Sequence, residues 1–338
     1  MNCRSQLLLL LCLSVSIMAR GQAQNPGTTP NNGMGVDSRP IAKLPKEVIL
    51  VKGAWSSASD SVAPVPEAGT VAQDVFSNPY FGITYPLPQN WVQEFDGPPP
   101  SDTARYVIAQ LGPPAQEAGP DSASMLVTAQ DLFFTPPPAA NALQFAEYVK
   151  NHLQSDYELE APLKTVVVAG RSFSFFAYRS PIAGLHWYVL TIEIRCHAVQ
   201  FVLTSRDPKL LDRLMLGLNK MKLPADVSAT AGAGGALVPV CIKDYARGDN
   251  VLARVDPVFT EHQFNPIPVR IIIDKEGRVR HVHLINAFPD QAKAITEALQ
   301  QWKFRIYLID GQPAEVETGI LFGRAAHTLP ASLLDPPK

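Results

Sequence analysis

The segment Pro224 to Ala236 constrains this 338-residue chain most, because its centre reads Ala-Thr-Ala-Gly-Ala-Gly-Gly and holds no large apolar group to offset the cost of ordering. Folded structure is therefore expected on either side of it, as a linker with two domains. Gly232 and Gly234 do not make a dinucleotide loop, since Leu237 stands where the third glycine belongs and no strand precedes them. With 46% hydrophobic and 18% charged residues, the chain can build two cores. Lys plus Arg number 29 and Asp plus Glu 31, a balance with no basic field to gather phosphates, which argues against nucleic acid as a partner.

The first 23 residues follow secretory signal grammar: Arg4, an apolar run from Leu7 to Ala19, and Gly21-Gln22-Ala23 as a small-x-small site. Cleavage is expected near Ala23, which places the mature protein in the periplasm or outside the cell, with only indirect membrane contact. The run is shorter than the roughly 20 apolar residues that a membrane span needs. Residues 24–70 are rich in Pro, Gly and Ser and read as a tether, with a β-prone run at 47–52 that can add a strand to the first domain. Removal of the leader takes Cys3 and Cys12 and leaves Cys196 and Cys241. These can pair across the linker or lie as two separately buried thiols; spacing alone favours the second, because it says nothing about disulfide geometry.

Between 75 and 223, β-like runs occur at Tyr106 to Leu111, Ser124 to Phe133, Lys164 to Ala169, Ser172 to Tyr178, Trp187 to Ile194 and Val199 to Thr204. Two helices interrupt or close the series. Asn141 caps the first, whose stripe is Ala142, Phe145, Ala146, Val149 and Leu153; Asp207 and Pro208 open the second, with Leu210, Leu211, Leu214, Leu218 and Met221 on one side. The fold class is α+β. The opening Phe81-Gly82-Ile83-Thr84-Tyr85-Pro86-Leu87-Pro88-Gln89-Asn90-Trp91 resembles that of PsbP-like domains, which implies an antiparallel sheet with helices, a core place for Trp91 and a role in binding or assembly.

In the C-terminal part, Val269, Ile271 and Ile273 share a strand face, Asp274-Lys275-Glu276-Gly277 turns the chain, and Val279 to Ile285 returns as a hairpin partner. A helix opening at Pro289-Asp290 presents Ile295, Ala298, Leu299 and Trp302 on one side, and Val316 to Phe322 forms a last strand. That order, with Asp274-Lys275-Glu276-Gly277-Arg278-Val279, the helix ending Gln301-Trp302-Lys303-Phe304 and Asp310-Gly311-Gln312-Pro313, resembles the TonB C-terminal family over 237–325. It departs from the family at Asn265-Pro266-Ile267-Pro268 and at Arg305-Ile306. Residues 326–338 are left as a tail. The resemblance implies a three-stranded sheet with one helix. Its edge strand, carrying Val316, Thr318, Ile320 and Phe322, would take a partner peptide by strand addition. The expected partner is a protein of the envelope, such as an outer-membrane transporter. Trp302, Ile295 and Leu299 are expected in the core.

No residue set reads as catalytic, no cofactor or metal is expected, and the chain is read as a binding protein and not an enzyme. His281 and His283 share a strand face but lack further ligands, so they are expected to face solvent. Cys196-His197 reads as neighbours on an extended strand, pointing apart. Glu158 and Glu160 read as a solvated face. An alternative function is a carrier that encloses a small or lipidic ligand in the first domain.

Overall fold

Alternating apolar residues give this chain more strand than its three helical stripes give helix, and in a computed structural model it is α+β. Residues 48–50, 58–60, 66, 69–95, 104–136, 139–225, 239–259, 267–285 and 287–323 are described. The expected leader, most of the tether, residues 226–238 of the linker and the tail lie outside them. No helix among the described residues is long and apolar enough to cross a membrane.

In chain order come β1 (Val48–Leu50), β2 (Ala58–Asp60), β3 (Thr70–Ala72), β4 (Val75–Asn78), β5 (Ile83–Pro86), β6 (Val92–Phe95), β7 (Arg105–Gly112) and β8 (Ser124–Asp131). They are followed by α1 (Ala142–Asn151), β9 (Glu158–Val168), β10 (Arg171–Ser180), β11 (Leu185–Ile194), β12 (His197–Ser205) and α2 (Pro208–Gly217). Strands β6 to β12 form an antiparallel sheet in the order β6-β7-β8-β12-β11-β10-β9, and β3-β4-β5 form a small sheet beside it. Two-residue turns at Ala169-Gly170 and Arg195-Cys196, all with positive φ, close the β9–β10 and β11–β12 hairpins with the hand that strand twist prefers. Phe81, Ile83, Tyr85 and Trp91 join Phe173, Phe201, Leu211 and Leu214 in the larger core. Asn141 and Asp207 cap their helices by accepting the Gln144 and Lys209 N–H groups. The run expected to continue to Phe133 stops at Asp131, whose carboxylate accepts the Phe133 N–H and starts a 3-10 turn over Leu132–Phe134.

The second core belongs to β13 (Val240–Cys241), β14 (Val251–Ala253), β15 (Ile267–Ile273), β16 (Val279–Leu284), α3 (Pro289–Leu299), β17 (Lys303–Phe304), β18 (Tyr307–Ile309), β19 (Gln312–Ala314) and β20 (Val316–Phe322). Gly277, at φ +74°, turns β15 into β16; a Cβ there would lie 2.2 Å from the Phe304 carbonyl oxygen, so this turn has no room for a side chain. Ile267, Val269, Ile271, Ile273, Ile295, Leu299 and Trp302 close on one another.

Four expectations need correction. The C-terminal sheet has six strands in the order β1-β2-β16-β15-β20-β13, because short segments pair with the free margins of the central three. The 47–52 run contributes β1 to this sheet, through β2, and not to the first domain. The helix ends at Leu299 and not at Phe304: Lys303 and Phe304 pair with β14, while the Trp302 indole drops into the core and donates to the Val255 carbonyl at 2.7 Å. Finally, the linker does not leave two independent halves. The described residues on both of its sides belong to one compact unit.

Candidate functional site

Side chains alternate across a strand, so the face of β15 opposite its apolar residues carries Arg270. Its neighbours on that face are His283 on β16 and Gly319 on β20, both directly across from it. This face is buried against the first domain. Arg270 Nη1 donates to Asp131 Oδ2 at 2.6 Å, Nη2 donates to Glu317 Oε1 at 2.5 Å, and the guanidinium lies 4.8 Å from the Phe133 ring centroid. Asp131 is fully buried and Arg270 is 3% exposed. Gly319 permits the approach: a Cβ on it would meet the Phe133 Cβ at 2.5 Å.

Electrostatics follow from the burial. Desolvation works against the Arg270 cation, yet Asp131 and Glu317 together hold its pKa well above the ordinary value, so it stays charged. Burial pushes the Asp131 carboxyl up while Arg270 pulls it back. His197, enclosed by the Tyr80, Phe81 and Tyr106 rings, is held neutral by burial first and Arg270 second. The same causes push His283 down to about 3. Its Nδ1 committed to the Arg195 carbonyl at 2.7 Å, His197 acts as a structural ring and offers no proton to solvent.

Two further ties cross the same junction. Cys196 and Cys241 form a disulfide with Cα atoms 5.7 Å apart, linking the β11–β12 turn to β13. Lys243 reaches into the first domain, where its ammonium donates to the Thr135 carbonyl and hydroxyl, each at 2.9 Å, and to the Ala139 carbonyl at 3.0 Å.

These placements revise several expectations. Cys196 sits in a turn at φ +60° and not on an extended strand. His283 is buried and not solvent-facing, because the first domain covers its sheet face, and His281 is half-buried. Glu158 and Glu160 are on β9, paired with Arg179 and His186. Trp91, Trp302, Ile295 and Leu299 are all buried. Among the described residues, Cys196, Cys241 and Glu317 have ligand atoms within 4.8 Å of one another, but the two sulfurs are bonded to each other. The junction itself was not foreseen; the signals available were Arg270 between Val269 and Ile271 and the apolar Ile272 on the same strand face.

The last strand needs a finer correction. β20 is not the sheet margin along its whole length, since β13 pairs in parallel with Val316 and Glu317. Val316, Thr318 and Phe322 point into the core and Ile320 is half-buried, so a partner would meet backbone and not these side chains. The Val240 and Ile242 N–H groups donate to the Glu315 and Glu317 carbonyls, which shows that odd-numbered residues aim their backbone outward. Gly319 and Leu321 therefore present N–H and C=O groups on this margin, and no described strand pairs with them there.

No family model matches this chain, and no curated protein matches it. Among solved structures it is similar to the solution structure of cyanobacterial PsbP from Synechocystis, with 14% sequence identity and a TM-score of 0.32, over 48% of this chain and 100% of that one.

Proposed function

We propose that this chain is an exported protein-binding module of the TonB C-terminal type, which takes an extended segment of an envelope protein as an added strand beside β20. The observation that supports this reading is the backbone margin at Gly319 and Leu321, with which no described strand pairs beyond the end of β13. Leu321 is 41% exposed, so an arriving strand would also cover apolar surface. The occupant would be a segment from an outer-membrane transporter or another periplasmic protein, delivered to the same compartment by the leader expected at 1–23. No chemistry is assigned to the site.

Proline at 321 tests this directly. It removes an outward N–H without touching the bonds between β20 and β15, and proline is tolerated where a strand faces no partner. Leu321→Pro should abolish capture of envelope proteins in an in-cell cross-linking experiment while leaving the thermal melt close to the parent's. Ile320→Pro should unfold the domain instead. Undiminished cross-linking in Leu321→Pro would remove the case for strand addition here.

A further inference from the structure

We infer that the Cys196–Cys241 disulfide controls the length of this acceptor margin: its reduction frees β13 from β20, and the inference rests on the strand-addition reading above. Strand β13 has two residues and is held to β20 by the Val240 N–H on the Glu315 carbonyl at 2.9 Å, the Ile242 N–H on the Glu317 carbonyl at 3.0 Å and, between them, the Glu317 N–H on the Val240 carbonyl that their parallel register sets. Water can replace these backbone bonds and Ile242 is only partly buried against the core, so the covalent link is the strongest single hold on so short a strand. Release would be local. Just downstream, Lys243 keeps its three acceptors and Tyr245 is buried, with its hydroxyl donating to the Arg305 carbonyl at 2.7 Å. Once freed, Glu315 and Glu317 would join Gly319 and Leu321 in one continuous row.

The two sulfurs are unequal in a way that orders the exchange. Cys241 is exposed, whereas Cys196 is 2% exposed and its Sγ lies 3.7 Å from Glu317 Oε2. A dithiol reductant reaches the outer sulfur: its thiolate bonds to Cys241 Sγ, the Cys196–Cys241 bond breaks, and the electron pair leaves on Cys196 Sγ. That sulfur takes up a proton and can donate its S–H to Glu317. The reductant's second thiol then attacks its own sulfur in the mixed disulfide and releases Cys241 as a thiol. Two electrons and two protons pass to the protein, and the dithiol becomes a disulfide.

The test uses the full chain, oxidised or held in dithiothreitol, with Cys241→Ser as a second route to the open form. Amide exchange should become about tenfold faster at Val240 and Ile242 on reduction, while Ile271 and Val316 stay protected. A labelled peptide copying residues 238–243, with serine for the cysteine, should bind the reduced chain and Cys241→Ser about tenfold more tightly than the oxidised chain, because the tethered strand no longer competes. Unchanged exchange at Val240 and Ile242 overturns the release. So does faster exchange throughout the sheet, Ile271 and Val316 included, which would mean unfolding. Local release with no peptide bound supports the disulfide's role and counts against strand addition. Equal peptide binding in both states supports strand addition and overturns thiol control.

Discussion

The C-terminal sheet buries its two faces by opposite means. Toward α3 it presents Val269, Ile271, Val282 and Leu284, closed by Trp302. Toward the first domain it presents Arg270, His283 and Glu317, closed by Asp131 and His197. The apolar face gains stability from every buried group and tolerates small rearrangements. The ionic face gains little net stability, since desolvation consumes most of the attraction, but any arrangement that parts Arg270 from Asp131 leaves a charge buried alone. One face supplies the strength of the fold and the other fixes how its two cores meet.

Mutations can break this contrast. Trp302→Ala should cost about 3 to 5 kcal/mol, from lost burial and a cavity. Arg270→Ala should cost a similar amount, about 3 to 5 kcal/mol, for a different reason: it leaves Asp131 without its cation. Replacing the pair together, as Arg270→Met with Asp131→Asn, whose amide oxygen can still accept the Phe133 N–H, should recover part of the second loss, whereas no partner change rescues Trp302→Ala. Urea denaturation of the three variants measures this. If the double variant is no better than Arg270→Ala, the junction depends on more than charge pairing.

Acid sharpens it further. The folded-state pKa of His283 is depressed to about 3, so its contribution is complete above about 6.5, the unfolded value, and declines as pH falls through that window. The unfolded chain takes the proton first. Stability should therefore drop by about 1.4 kcal/mol per pH unit on account of this histidine, and His283→Gln should lower the slope by that amount between pH 6 and 4. His197, also depressed, adds a slope of the same sign that the variant retains. Equal slopes in parent and variant, measured by urea midpoints, would show that His283 protonates freely.

The smallest effect is expected at Arg280, which binds Glu315 at the same 2.6 Å that separates Arg270 from Asp131. Its side chain is 53% exposed, so Arg280→Ala should cost less than about 1 kcal/mol in the same denaturation experiment. A larger loss would mean that distance, and not burial, sets the worth of these arginines.

The apolar face was legible in the sequence because Val269, Ile271 and Ile273 alternate and Ile295 and Leu299 recur at helical spacing. The junction was not. Arg270 and His283 occupy positions where alternation assigns solvent, and only a second domain lying on them reverses that assignment. Ile272, apolar where a solvent-facing residue was due, hinted at a sheet covered on both sides. Strands β2 and β13 are too short for periodicity to find, and they exist because the margins of longer strands recruit them; β1 lies in the β-prone 47–52 run, where the strand was legible and the sheet it joins was not. For the cysteines, spacing pointed to separate thiols, since nothing in it reveals that a hairpin turn and β13 bring Cα atoms within 5.7 Å.

Gly319 also sets a clearance. The bare backbone at this strand position accepts the Phe133 Cβ at a spot where a methyl group would stand 2.5 Å away, against the 3.4 Å at which ordinary contact begins. Even alanine would wedge the two cores apart by about an ångström, a gap that a 2.6 Å ion pair cannot follow without loosening. The fit between the halves of this protein is thus machined by the absence of one side chain, and sequence drift at that single position would be felt at every tie across the seam.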